Sequence, residues 1–252
     1  MATPTTPVDT TERAQQQAEF KATCDKYVNK GLQRNPTIQF LLKKMVDMNC
    51  KPPPGFIRCM DCGDKQAGGG FGMIEETILT NKKATASVAA ETNADAQRRS
   101  ALPQCQRSFS DLQDQLKAQE DGTSELKLVP EIFLCQQHVR SESHAHESIV
   151  HELIHAVDMC RTTMDPLNNC VHLACTEIRA ENLSGECAMF KEVTSGRIQH
   201  FAKHGQQCVK RRAALSVKAN PNCRDRAHEF VDAAFERCYN DTYPFDRHPN
   251  LQ

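Results

Sequence analysis

Ser148-Ile149-Val150-His151-Glu152-Leu153-Ile154-His155-Ala156-Val157-Asp158 is the stretch that decides how this chain folds. It carries H-E-x-x-H inside a run, His146 to Arg161, whose pattern predicts one helix. Positions four apart on a helix share a face, about 6 Å apart along the axis. The imidazoles of His151 and His155, so placed, can converge on one metal ion. Glu152 points about 100° away, where it can reach a metal-bound water without being a ligand. This spacing serves zinc-dependent peptide hydrolysis: two His hold Zn2+, and the Glu takes a proton from water and returns it to the leaving amine. The plainer alternative is a solvated helix face that matches by chance. Ile149, Val150, Ala156 and Val157 weigh against it, because they bury the helix on at least one side. Buried imidazoles and carboxylates need partners.

Composition narrows the classes. The chain has 252 residues, enough for one elaborated domain, and a net charge of −1 gives no basic field for nucleic acid. With no Trp and 6% aromatics, the core falls to Leu, Ile, Val, Phe, Met and cystine. Thirteen cysteines is high for a reducing cytosol. Met1 to Phe20 has neither the apolar segment of a secretory signal nor the Arg-rich, acid-poor character of a transit peptide. No stretch approaches the roughly 18 apolar residues of a membrane span. Either the thiols bind metal in the cytosol, or the chain reaches an oxidising compartment without a cleaved signal.

Taken in order, residues 1–10 read as a loose tail and 11–80 as N-terminal helices with a C-x-x-C strand. Residues 81–125 read as a polar insertion, part-helical around Ser110 to Ala118, and 126–252 as a catalytic core with C-terminal helices. Residues 11–252 are expected to form one domain. Glu12 to Lys30 is helical, Gly31 and Pro36 bracket a break, and Ile38, Leu41, Leu42, Met45 and Val46 mark a second helix. Cys24 and Cys50 could staple the pair. Cys59 and Cys62 form a local redox pair or find distant partners, and Gly68-Gly69-Gly70 is expected to be a flexible turn. Leu126 to Cys135 is a strand in which Pro130 marks an edge or bulge, a candidate for pairing with extended substrate. His172 to Phe190 is the next helix. The odd cysteine count leaves one thiol over, and Cys105 is the candidate.

Catalytic zinc wants a third protein ligand and an open fourth position. Glu177, in Glu177-Ile178-Arg179-Ala180-Glu181, is favoured, with His172 and Asp158 as alternatives. Glu181, one turn on, has the spacing to orient a metal-bound His. Asp158 is otherwise a group supporting the ligands from behind. His200, His204, His228 and His248 are expected at the surface.

The HELIHAVDMCR run, Cys135-Gln136-Gln137-His138 and His172 to Cys187 closely resemble one family, the mitochondrial inner-membrane metalloproteases that also serve as ATP synthase assembly factors. F-x-x-C-x-x-C and the GGFG segment are similar to that family's N-terminal part. The resemblance covers roughly Cys24 to Pro249, apart from Asn81–Glu125. It implies a peripheral place on the inner membrane, facing the intermembrane space, with retention by oxidative folding. It implies cleavage of the N-terminal propeptide of ATP synthase subunit 6, help in joining that subunit to the subunit 9 ring, and degradation of lipid-transfer proteins. His151 and His155 carry over as ligands and Glu152 as the catalyst. The rival reading is a non-catalytic assembly factor that keeps the zinc fold as a scaffold. The expected fold is α+β and zincin-like: a small sheet, the H-E-x-x-H helix, flanking helices and disulfide staples.

Arg197 to Arg212 carries Arg197, Lys203, Lys210, Arg211 and Arg212 with no acidic residue, and Ile198, Phe201, Ala202, Gly205 and Val209 on one face. Such a helix can lie on an anionic lipid surface, each basic residue contributing about 1 kcal/mol. The alternative is ordinary packing against the protein.

Overall fold

The computed structural model describes residues 7–64, 68–79, 124–188 and 204–250. Among the described residues, six helices and three strands run in the order α1 (Pro7–Arg34), α2 (Pro36–Asp47), β1 (Ile57–Met60), β2 (Gly69–Leu79), β3 (Ser124–Cys135), α3 (Glu142–Arg161), α4 (Cys170–Leu183), α5 (His204–Ala219) and α6 (Ala227–Tyr239). Short 3-10 turns follow β3 and α5. The fold is α+β.

The break between the first two helices falls at Asn35-Pro36, not at Gly31. The Asn35 carboxamide accepts from the Thr37 and Ile38 amides, and Pro36 starts α2 where its missing N–H costs nothing. Gly31 lies inside α1, and its missing side chain makes room for the His146 ring: a Cβ there would meet His146 Cδ2 at 2.9 Å. His146 Nε2 donates to the Tyr27 carbonyl at 3.0 Å, so this imidazole ties α1 to α3.

The sheet order is β1-β3-β2, with β1 parallel and β2 antiparallel to β3. The strand expected at an edge, β3, is therefore central. Pro130 is tolerated because β1 pairs only with Ile132 to Cys135, so beside Pro130 the β1 side of β3 has no ladder to break. Among the described residues β1 and β2 are the two edge strands of the sheet. Of the glycines expected in a flexible turn, Gly69 and Gly70 lie in β2, and Gly68 immediately precedes it. A methyl group on Gly69 would meet the Phe133 carbonyl oxygen at 2.6 Å, so glycine here permits close strand approach. A Gly69→Ala chain should lose about 1–3 kcal/mol in denaturant unfolding; an unchanged midpoint would mean the strands part to admit the methyl.

Two apolar clusters form. In the first, Cys24, Ile38, Leu41, Ile132 and Leu134 pack on Ile149, Leu153, Ile154 and Val157 of α3. In the second, Val209, Ala213, Val217, Val231 and Phe235 gather around Ala174 and Ile178. Helix α4 is the wedge between them, because Ala180 and Leu183 face the first cluster. It ends at Leu183, short of the expected Phe190, where Ser184 and Gly185 (φ 89°) turn the chain.

Six cysteine pairs sit at disulfide distance: Cys24–Cys59, Cys50–Cys160, Cys62–Cys135, Cys170–Cys223, Cys175–Cys238 and Cys187–Cys208. The Cys24–Cys50 staple does not form, and the C-x-x-C cysteines reach distant partners. Cys105 lies outside the described residues, as do Ser110 to Ala118 and Arg197 to Lys203. No described helix is long and apolar enough to cross a membrane.

Candidate metal centre

Helix α3 begins earlier than its apolar pattern suggested, at Glu142, because Ser141 Oγ caps it by accepting from the His144 amide. Its buried face turns His151 and His155 toward α4. Glu177 of α4 comes within 3.7 Å of His151 Nε2 and 3.8 Å of His155 Nε2. All three ligand atoms lie within 4.8 Å of one another. Ligands about 2.1 Å from a tetrahedral ion stand roughly 3.4 Å apart, so the cluster fits one ion with slight contraction. Glu177 Oε2 is buried with no hydrogen-bond partner, an acceptor left over for a cation.

The partners of the imidazoles fix their tautomers. A carboxylate can only accept, so Thr176 Oγ1 donates to Asp158 Oδ2 at 3.0 Å. That hydroxyl must then accept from His155 Nδ1–H, at 2.8 Å. His151 Nδ1–H donates to Glu186 Oε2 at 3.1 Å. Nδ1 thus carries a proton in both rings, and Nε2, turned to Glu177, is the nitrogen that a metal ion would take in place of any second proton.

Asp158 is fully buried against the Arg179 guanidinium at 2.9 Å and the Arg161 guanidinium at 3.0 Å. It supports His155 from behind and does not join the ligand cluster. His172 is turned away, its Nδ1 accepting from the Asp165 amide at 3.1 Å. Glu181 does not hold an imidazole as its spacing suggested. It pairs with Arg212 of α5, and Glu186 makes the contact to His151 instead. Arg212 also reaches Glu186 at 2.6 Å. His248, expected at the surface, is half-buried, and its Nε2 donates to Asn182 Oδ1 at 3.0 Å.

Burial raises the Glu152 carboxyl to about 7, with the charges of Glu177, Glu186 and Glu181 adding to the rise. Burial likewise lifts Glu181 to about 7. Burial disfavours charge on Glu177 too, but the charge of His155 and the hydrogen bond from His151 outweigh it and hold the carboxyl low. For His151, burial opposes protonation, yet its bonds to Glu177 and Glu186 carry it well above the usual histidine range. A site this rich in carboxylates, with both imidazoles facing inward, attracts a cation.

Thr176, Glu186 and Arg212 are absent from the sequence-based set. Thr176 neighbours Glu177 but its hydroxyl carries no motif. Glu186 lies past a turn, beyond helical spacing rules.

A model of the peptidase M76 family matches residues 22–98 and 91–246. Over 117 residues the chain is 44% identical to the mitochondrial inner membrane protease ATP23 of Yarrowia lipolytica, covering 46% of each chain. Over 122 residues it is 47% identical to the mitochondrial inner membrane protease ATP23 homolog of Xenopus laevis, 48% of this chain and 51% of that one. Over 255 residues it is 31% identical to the mitochondrial inner membrane protease ATP23 of Mycosarcoma maydis, 98% of this chain and 99% of that one. The chain thus spans about half the length of the first two relatives and nearly all of the third. No solved structure matches it. The family match runs through both helices that meet at the His151–His155–Glu177 cluster, and the chain belongs to the peptidase M76 family.

Proposed function

We propose that the chain is a zinc metalloendopeptidase with a zincin-like catalytic core. His151, His155 and Glu177 hold the ion, Glu152 is the general base and acid, and Asp158 and Glu181 support the ligands. The observation that carries this is the cluster itself: two imidazoles presenting Nε2 and a carboxylate oxygen without a partner, all facing one point. Bound there, zinc would polarise a peptide carbonyl and acidify a water. Glu152, the carboxyl next to His151 in the motif, would take a proton from the attacking water and return it to the leaving amine. The outer edge of β2, unpaired among the described residues, offers main-chain groups to an extended substrate. The relatives are named mitochondrial inner membrane proteases. Together with the resemblance of the H-E-x-x-H and Cys-rich segments, these names support a peripheral place at the inner membrane, and we infer that the activity faces the intermembrane space. The substrates we infer are the ATP synthase subunit 6 precursor, whose joining to the subunit 9 ring the protein would also assist, and lipid-transfer proteins of that space.

The test is metal content. Replacing Glu177 by Ala should leave the purified chain without zinc under dialysis that the wild type survives. Full occupancy in the variant would remove Glu177 from the ligand set.

A further inference from the structure

We propose that Glu186, gripped by Arg212 and by the Cys187–Cys208 cystine, is the positioning residue that aims His151 at the metal. Helix α5 then sets the metal affinity of a site to which it gives no ligand. The inference rests on the metal-site reading above.

Glu186 lies beyond the end of α4, after Gly185, so helix register does not place it. Its place comes from three restraints. Its amide donates to Ser184 Oγ at 3.4 Å. Its Oε2, the oxygen that accepts from His151 Nδ1–H, also accepts from Arg212 Nη2 at 2.6 Å. The next residue, Cys187, is bonded to Cys208 of α5. Cys208 and Arg212 are four apart and share a face of α5, so cystine and guanidinium hold the Glu186–Cys187 step from one side. Arg212 is itself anchored on Glu181, which the register of α4 does fix. Without the guanidinium, two carboxylates would face each other beside His151, and repulsion would swing the turn outward. The membrane reading asked Arg212 to point to lipid; it points into the site.

A carboxylate behind a ligating imidazole fixes the ring and raises its basicity, and loss of such a partner typically costs about 10–100-fold in metal affinity. The experiment measures zinc dissociation of the oxidised full-length chain against a chromogenic chelator, and the absorption bands of the Co2+-loaded chain. Glu186→Gln should weaken zinc by about 10–100-fold and shift the Co2+ bands. Arg212→Gln should do the same, and Arg212→Lys should recover part of the loss. Lys210→Gln, on the same helix as Arg212, removes only a surface pair with Asp232 of α6 and a contact with the Phe235 ring, and should change neither. Wild-type affinity and bands in Glu186→Gln would overturn the proposal while leaving the ligand set intact. A wild type that binds no zinc would overturn both.

Discussion

On the proposed function, a Glu152→Gln chain should still bind zinc, and the proposed cleavage of the subunit 6 propeptide should fall by at least about 10²–10⁴-fold, the usual contribution of a positioned general base. The substitution keeps volume and removes only the proton acceptor. Glu152 is buried, so no other group from bulk solvent substitutes for it at that point. Its neighbours Glu177 and Glu186 are committed to the imidazoles. Cleavage at the wild-type rate would end the assignment. The same variant separates the enzyme from the scaffold reading. If ATP synthase assembly continues while the propeptide stays on, the two roles are independent, and the fold serves assembly without chemistry.

Arg179→Leu should cost about 3–5 kcal/mol, the range for stranding a buried charge. Arg179 and Asp158 are both fully buried. The guanidinium meets the Asp158 carboxylate at 2.9 Å and the Asp241 carboxylate at 2.8 Å, and donates to the Asp241 and Tyr243 carbonyls. It therefore joins α3, α4 and the segment after α6. Its loss leaves Asp158 with Arg161 and Thr176 alone, and Asp158 is what orients the Thr176 hydroxyl under His155. Denaturant unfolding of the metal-free chain measures the first effect, and zinc affinity the second. A loss below about 1 kcal/mol, the range of an exposed pair, would show that solvent reaches the site.

The H-E-x-x-H helix was readable because the rule that places His151 beside His155 is local: four residues along one helix. The approach of Glu177 used the same rule on the next helix plus the chemistry of the ion. Glu186 obeys no such rule, since its position depends on a turn at Gly185 and on a cystine to another helix. Arg212 was misplaced for a related reason. A basic run states how much charge a helix carries, not which way each residue turns, and Lys210 and Arg212 both find carboxylates of this chain. Pro130 reads from its own chemistry as the mark of an edge or bulge, yet its strand is central, because β1 is too short to reach it. The cystine pairings could not be read, because every one joins elements that only the tertiary fold brings together.

The sulfur bridges divide at Arg161. Three close within Cys24–Cys160 and three within Cys170–Cys238, so among the described residues only the backbone of Thr162–Asn169 joins the halves covalently. The two imidazoles come from the first half and the Glu177 carboxylate from the second. An ion held by all three would be a further crosslink, one that needs no redox chemistry to form or break, spanning the joint that sulfur leaves open. Its strength would follow free metal concentration, reaching about 4 kcal/mol at a thousandfold excess over the dissociation constant. Reductant would then loosen the interior of each half, whereas a chelator would loosen only their docking.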